Sequence, residues 1–222
     1  MLPRTLEPEV MDSPSEAQEY DAMDHREVNR RFVDDLLDRL APRAGGLRAI
    51  DLGTGTAQIP IELCGRCESV HVTAVDAAPS MLVLADQNIR QSGLSGRVET
   101  RLDDAKQLDP SGRFDIVMSN SIIHHLADPR PVIELAIGLL DAGGLLFFRD
   151  LMRPASDAEL AALVRQHAAG CTEHQRRLFS DSLHAALTVA EMQQLVAAAG
   201  ADPQGVVATS DRHWTWVHEA DD

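Results

Sequence analysis

The sequence predicts an α/β fold: a doubly wound, mostly parallel sheet of seven strands, with a helix ahead of it and a helical insertion after the fifth strand. Three observations predict it. Strand-like and helix-like segments alternate through the middle of the chain, which is the rhythm of a parallel sheet with helices on both faces. The first strand runs into Gly53-Thr54-Gly55, a tight turn opening a helix. The 222 residues, 44% hydrophobic and 25% charged, are enough to bury a core without disulfide or metal support.

The elements follow in order. Residues 1–16 hold three prolines and few large apolar side chains, and read as an arm. From about Ser15 to Leu40 the pattern is helical, carried by Val28, Phe32, Leu36, Leu37 and Leu40. Pro42 and Gly45-Gly46 end that helix. LRAIDL is the first strand, residues 56–66 a helix, SVHVTAVD the second strand and residues 79–92 a helix. RVETRL and FDIVMS are strands three and four, residues 129–141 a helix, and GGLLFFRD strand five. Residues 156–187 read as two helices. Thr188-x-x-Glu191 is a capping-box pattern opening another, which ends at Gly200. GVVATS and HWTWVHE close the sheet. The chain reads as a single domain over 1–222: an N-terminal arm and helix over 1–43, a core over 44–150, and a helical cover with closing strands over 151–222.

Composition excludes several functions. Thirty-five acidic residues against 20 basic ones give a formal charge of −15, which disfavours nucleic acid or an anionic membrane as the main partner. Lys106 is the sole lysine, so a Schiff-base mechanism has one candidate, in a polar stretch. Three cysteines show no disulfide framework, which fits a cytoplasmic protein. The first 25 residues lack the apolar run of a signal peptide, and no stretch approaches the length of a membrane span.

The strongest signal is AIDLGTGTA, residues 49–57. Glycines there let the backbone turn tightly and approach a ligand. A dinucleotide loop wants a third glycine where Gln58 stands, and Asp51 just before the loop would repel a pyrophosphate. A carboxylate at that point suits an ammonium group instead. Asp76 ends the second strand, 21 residues after Gly55, where a carboxylate accepts from ribose hydroxyls. Asp103-Asp104-Ala105 follows the third strand, where an adenine amino group can be read. A nucleoside with a cationic amino-acid tail meets all three requirements, and that describes S-adenosylmethionine.

On AIDLGTGTA (49–57), VDAAPSML (75–82), LDDAKQL (102–108), FDIVMSNSIIHHL (114–126) and LLDAGGLLFFRD (139–150), the sequence resembles the class I S-adenosylmethionine-dependent methyltransferases, which have a Rossmann-like sheet. Within that family it is similar to the small-molecule branch resembling the ubiquinone/menaquinone C-methyltransferases, which also carry His-His-Leu after strand four. Ala57 departs from the third glycine of many members. The resemblance implies that Asp51 anchors the methionine ammonium, that Gly53, Thr54 and Gly55 line the methionyl part, and that Asp76 holds the ribose diol. It implies that Ala77 and Met81 flank the adenine, that Asp104 and Ala105 read its amino edge, and that Ser119 and Asn120 lie beside the methyl. Related enzymes place an N-terminal helix as a lid over the cofactor, and Tyr20 in EYDAMDH is the aromatic that could meet the sulfonium. The reaction implied is methyl transfer to a small-molecule acceptor, whether oxygen, nitrogen, sulfur or carbon, leaving S-adenosylhomocysteine. Two rivals stand beside it: a binder of the cofactor without turnover, and a nicotinamide-dependent oxidoreductase.

His124, His125 and Asp150 are the candidate bases, each at or just after the C-terminal end of a strand. The bland alternative is a histidine satisfying a backbone carbonyl. Arg149 and Arg153 either bind an acidic substrate or pair with the acidic surface. Cys64-x-x-Cys67 has no second half-site, so no metal site is assigned. Trp214 and Trp216 share a strand face and read as core. Arg176, Arg177, Phe179 and His184 lie where a substrate cover or a homodimer face would form.

Overall fold

The computed structural model describes residues 2–7, 12–23, 25–40, 45–109 and 111–221; Pro42, expected to end the first helix, lies outside them. Seven strands lie in one sheet in the order β3-β2-β1-β4-β5-β7-β6, namely β1 (Leu47–Leu52), β2 (Val70–Asp76), β3 (Val98–Leu102), β4 (Phe114–Asn120), β5 (Leu140–Leu151), β6 (Val206–Ala208) and β7 (His213–Glu219). β1 pairs in parallel with β2 and β4, and β2 with β3, while β6 and β7 are antiparallel. The mostly parallel seven-stranded sheet is therefore as the sequence predicts. By its internal contacts the chain divides into two units, described in turn.

The first unit comprises Val10–Asn120, Glu134–Phe147 and His218–Asp222. All but one residue of β1 is buried, as befits a central parallel strand with both faces covered. The helix expected over Ser15–Leu40 is two helices, α1 (Pro14–Asp21) and α2 (Arg26–Leu37). Ser13 and Glu16 form a capping box at the start of α1, with Pro14 at its first position. The apolar period that predicts one helix belongs to α2, which buries Phe32, Val33 and Leu36. α1 buries Ala17 alone and packs it, with Tyr20, against Ala78, Met81 and Leu84. Phe32 meets Phe147 edge-on, ring centres 5.0 Å apart. The helices α3 (Gln58–Arg66) and α4 (Pro79–Gln91) follow β1 and β2. α5 (Arg130–Gly138) stops before 141, and β5 begins at Leu140. The Leu139 carbonyl accepts from Phe114 N, and the Ala220 amide donates to Gly144 O, so the sheet captures residues that helical period assigns to α5.

The second unit comprises Met1–Glu9, Ser121–Ile133 and Phe148–Val217. α6 (Asp157–His167) and α7 (Glu173–Ala185) are the insertion after β5, and α8 (Val189–Ala198) starts on the expected Thr188–Glu191 box. Leu151, Leu163, Leu183 and Ala186 form a core on which Phe179 packs. Trp214 and Trp216 are fully buried, Trp216 edge-on to Phe148. GVVATS contributes only three strand residues, because Thr209 N and Ser210 N both turn back to His213 O.

Candidate functional site

The glycine loop is a short run of left-handed backbone. Gly53 (φ 75°), Gly55 (φ 55°) and Ala57 (φ 61°) all lie in the region where a Cβ is disfavoured. The alanine replacing a third glycine thus sits where glycine would be unstrained. Gly53 N and Thr54 N both donate to the Val75 carbonyl at 2.9 Å, bending the loop over the end of β2.

Two carboxylates frame it. Asp76 accepts from Gly55 N at 2.7 Å with one oxygen and from Ala78 N at 2.9 Å with the other, so it ties the loop to the start of α4. Asp51 is 2% exposed and accepts from Thr54 Oγ1 at 2.7 Å. Burial pushes its carboxyl up to about 7, with Asp76 adding repulsion against the Thr54 bond. The Tyr20 phenol is raised to about 12, first by burial and then by Asp76, Asp51 and Asp21. This is a site with negative field, and it repels a pyrophosphate.

Tyr20 lies over the loop: a Cβ on Gly55 would stand 3.6 Å from its Cε1. α1 is latched at both ends. Asp12 accepts from Ser80 N at its start, and Asp21 Oδ1 at its end accepts from Gln58 Nε2 at 3.1 Å and Asn88 Nδ2 at 2.9 Å. A cavity of about 30 Å³ remains, lined by Tyr20, His25, Asn29, Asp51, Gly53, Thr54, Thr56, Gln58, Ile59 and Asn120. Asn120 Oδ1 and Thr56 Oγ1 are buried with no hydrogen-bond partner. Beside a buried carboxylate, an orphaned carbonyl oxygen fits a donor-rich cation.

The other residues read from sequence divide. Asp104, two residues past the end of β3, accepts from Lys106 N and Gln107 Nε2. Ala105 and Met81 are buried, and Ala77 is exposed. Ser119 is turned into the sheet: its hydroxyl donates to Leu52 O at 2.6 Å, and it does not border the cavity. Asp21, Asn88, Asn29 and Thr56 were not expected. Gln58, read only as a missing glycine, holds the end of α1.

His124, His125 and Asp150 come together in the second unit, with Glu7 as an unanticipated fourth. His124, 3% exposed, places Nδ1 2.5 Å from Asp150 Oδ1 and Nε2 3.3 Å from Glu7 Oε1. Burial opposes its charge, but Asp150 and then Glu7 raise its affinity for a proton. Asp150, fully buried, is held below the ordinary carboxylate range because His124 outweighs its desolvation. Its oxygens also accept from His124 N and Leu151 N. Arg149 and Arg153 do not pair with the acidic surface; both are buried, where an unpaired guanidinium is costly, and Arg149 donates to Thr215 Oγ1, Arg153 to Ala186 O and Glu191. Cys64 is buried against Val70 O, burial raising its thiol to about 11, and Cys67 pairs with Ser69; both lie at the end of α3 and neither is in a disulfide.

Residues 44–217 match the family described as a methyltransferase domain. The chain is 29% identical over 186 residues to a ubiquinone biosynthesis O-methyltransferase of Cereibacter sphaeroides, covering 80% of this chain and 70% of that protein. The structure of an O-methyltransferase family protein from Burkholderia thailandensis superposes with a TM-score of 0.65 at 22% identity, over 94% of this chain and 60% of that one. This chain thus spans less than two thirds of that protein. The plantazolicin methyltransferase BpumL, solved with S-adenosylhomocysteine, superposes with a TM-score of 0.70 at 13% identity, covering 95% and 91%.

Proposed function

This chain belongs to the methyltransferase-domain family, and from that premise we propose that it transfers a methyl group from S-adenosylmethionine to an oxygen of a small-molecule acceptor. Oxygen is inferred from the Cereibacter relative, an O-methyltransferase. The match over 44–217 includes residues of both units, which supports reading 1–222 as one methyltransferase domain. Bound S-adenosylmethionine supplies an already activated methyl; everything else is asked of the protein.

The observation that carries the proposal is the buried Asp51 carboxylate beside the orphaned Asn120 Oδ1, in a cavity bounded by the glycine loop. Asp51 and Asn120 hold the methionine ammonium, Gly53, Thr54 and Gly55 shape the methionyl channel, and Asp76 takes the ribose diol. Ala77 and Met81 flank the adenine, and Asp104 with Ala105 reads its amino edge. The cavity is small beside the whole cofactor, about 30 Å³. The ammonium end fits it, and the remainder of the molecule needs Tyr20 to swing off Gly55 and then re-cover the sulfonium. Methyl transfer is an in-line displacement, so alignment and exclusion of water are the protein's main contribution. A neutral hydroxyl also has to lose a proton. His124, His125 and Asp150 are assigned that task, with His125 the more exposed ring.

The acidic surface weighs against a nucleic-acid acceptor. Among the described residues no helix is long and apolar enough to cross a membrane. A cytoplasmic location and a homodimer through the α6–α7 region complete the proposal.

The test is calorimetric titration with S-adenosylmethionine, S-adenosylhomocysteine and NADH, followed by an assay of S-adenosylhomocysteine release over hydroxyl, thiol and amine acceptors. Micromolar binding of the adenosyl ligands, lost in Asp76→Ala, with turnover on a hydroxyl, is the expected result. Binding of NADH alone overturns it.

A further inference from the structure

We propose that Glu7, His124 and His125 form a binding site for a divalent transition-metal cation, with zinc as the reference ion. One donor atom from each, a Glu7 carboxylate oxygen and one nitrogen from each imidazole, gathers so that all three lie within 4.8 Å of one another. Glu7 Oε1 stands 3.3 Å from His124 Nε2 and 2.9 Å from His125 Nδ1. The two rings are neighbours, centres 4.1 Å apart. Two imidazole nitrogens therefore converge on one carboxylate oxygen. The His125 contact is short in distance yet off the line of a hydrogen bond, and its Nδ1 is buried with no hydrogen-bond partner. Each approach is an ion pair only when its imidazole is protonated, whereas a shared cation accounts for both with the rings neutral.

The surroundings match what ligands to a metal need. A metal-bound histidine gives its second nitrogen to a carboxylate, which fixes the ring and raises its basicity. His124 does this at Nδ1 with Asp150, 2.5 Å away and itself anchored by two backbone amides. Glu7 is oriented in the same way by Ser182 Oγ, 3.2 Å from each carboxylate oxygen. Arg4 opposes a cation, but its guanidinium is bound to the carbonyls of Ala185 and Leu126. Two nitrogens and one carboxylate select a borderline metal over magnesium or calcium, and three protein ligands leave a tetrahedral position for water or an acceptor oxygen. The proposal does not rest on the methyl-transfer reading, since it is defined by binding alone. If both hold, a hydroxyl coordinated there ionises more readily, and the histidines act as ligands instead of bases.

The experiment takes the full chain stripped with a chelator, titrates it with zinc, and records the visible spectrum of the cobalt-loaded protein. One equivalent should bind, the cobalt spectrum should be tetrahedral or five-coordinate without a thiolate band, and His125→Asn and Glu7→Gln should each weaken binding at least tenfold. The pair Cys64→Ser/Cys67→Ser should bind as the parent does. If Glu7→Gln fails to fold, the more exposed His125→Asn carries the test. Sub-stoichiometric binding, a thiolate band, or affinity unchanged in His125→Asn overturns the proposal, whatever the outcome with S-adenosylmethionine.

Discussion

The Asp76 carboxylate and the Gly55 amide are joined by a 2.7 Å hydrogen bond, so the residue proposed to take the ribose also holds the loop proposed to take the methionine. Asp76→Asn keeps the size and removes the charge. A hydrogen bond to a charged group contributes about 1.5–3 kcal/mol. The variant should bind S-adenosylhomocysteine at least tenfold more weakly and melt a few degrees lower. Calorimetry and a thermal melt check both, and unchanged affinity would remove Asp76 from the site.

Asp51 makes the ligand-free protein sensitive to pH. Its carboxyl is raised from 3.8 to about 7 by burial, so the folded state prefers the protonated form. The stabilisation is complete below pH 3.8 and is lost as pH rises to about 7. A shift of this size corresponds to a few kcal/mol, on the order of 1.4 for each pH unit. Asp51→Asn should flatten the melting temperature against pH over that window and raise it at about pH 8, while weakening cofactor binding. In the parent, affinity for the cationic ligand should climb from about pH 6 to pH 8. Equal slopes in parent and variant would contradict this.

Asp21 is the latch of α1. Asp21→Ala leaves Gln58 and Asn88 without their shared acceptor, at about 1–2 kcal/mol. Hydrogen exchange over residues 14–21 should speed up and S-adenosylhomocysteine should associate faster, since Tyr20 is released with the helix. Unchanged protection of α1 would show that the Ala17 and Tyr20 packing holds it alone.

Arg153 is buried and held by Glu191, which also closes the capping box of α8. Removing Glu191 leaves a buried guanidinium short of its counter-charge and a helix without its cap. Glu191→Ala should destabilise by about 2–3 kcal/mol, discounted because the carboxylate is partly exposed. Adding Arg153→Leu should recover part of that loss. Urea denaturation of the two variants checks the sign.

Ser121 carries φ 64° straight after β4 while its amide donates to Arg149 O. Ser121→Gly should be neutral or stabilising by up to about 1 kcal/mol, and Ser121→Val destabilising by at least that. The same melts settle it.

The alternation of strands and helices, the Thr188 box and the glycine turn after the first strand were legible because each is local: a rhythm, a spacing, a residue at a strand end. The split between α1 and α2 was not, because α2 carries the apolar period and α1 is polar, held by Asp12 and Asp21 rather than by a face of its own. Ser119 was misplaced by one step of the pleat: Asn120 borders the cavity and Ser119 the sheet interior. Glu7 left no trace in pattern. It stands in a proline-rich arm, and only the fold brings it 117 positions away to His124.

The match to the methyltransferase family begins at residue 44. Ahead of it, Glu7 reaches the histidines of one unit and Tyr20 covers the glycine loop of the other. The segment before the matched residues thus touches both places where chemistry is proposed. Two proteins alike from residue 44 onward and different before it would share a fold and a donor loop, yet admit different partners on different schedules. A change in the leading segment would therefore reach the donor loop through Tyr20 and the histidine pair through Glu7, without altering any residue of the matched family region.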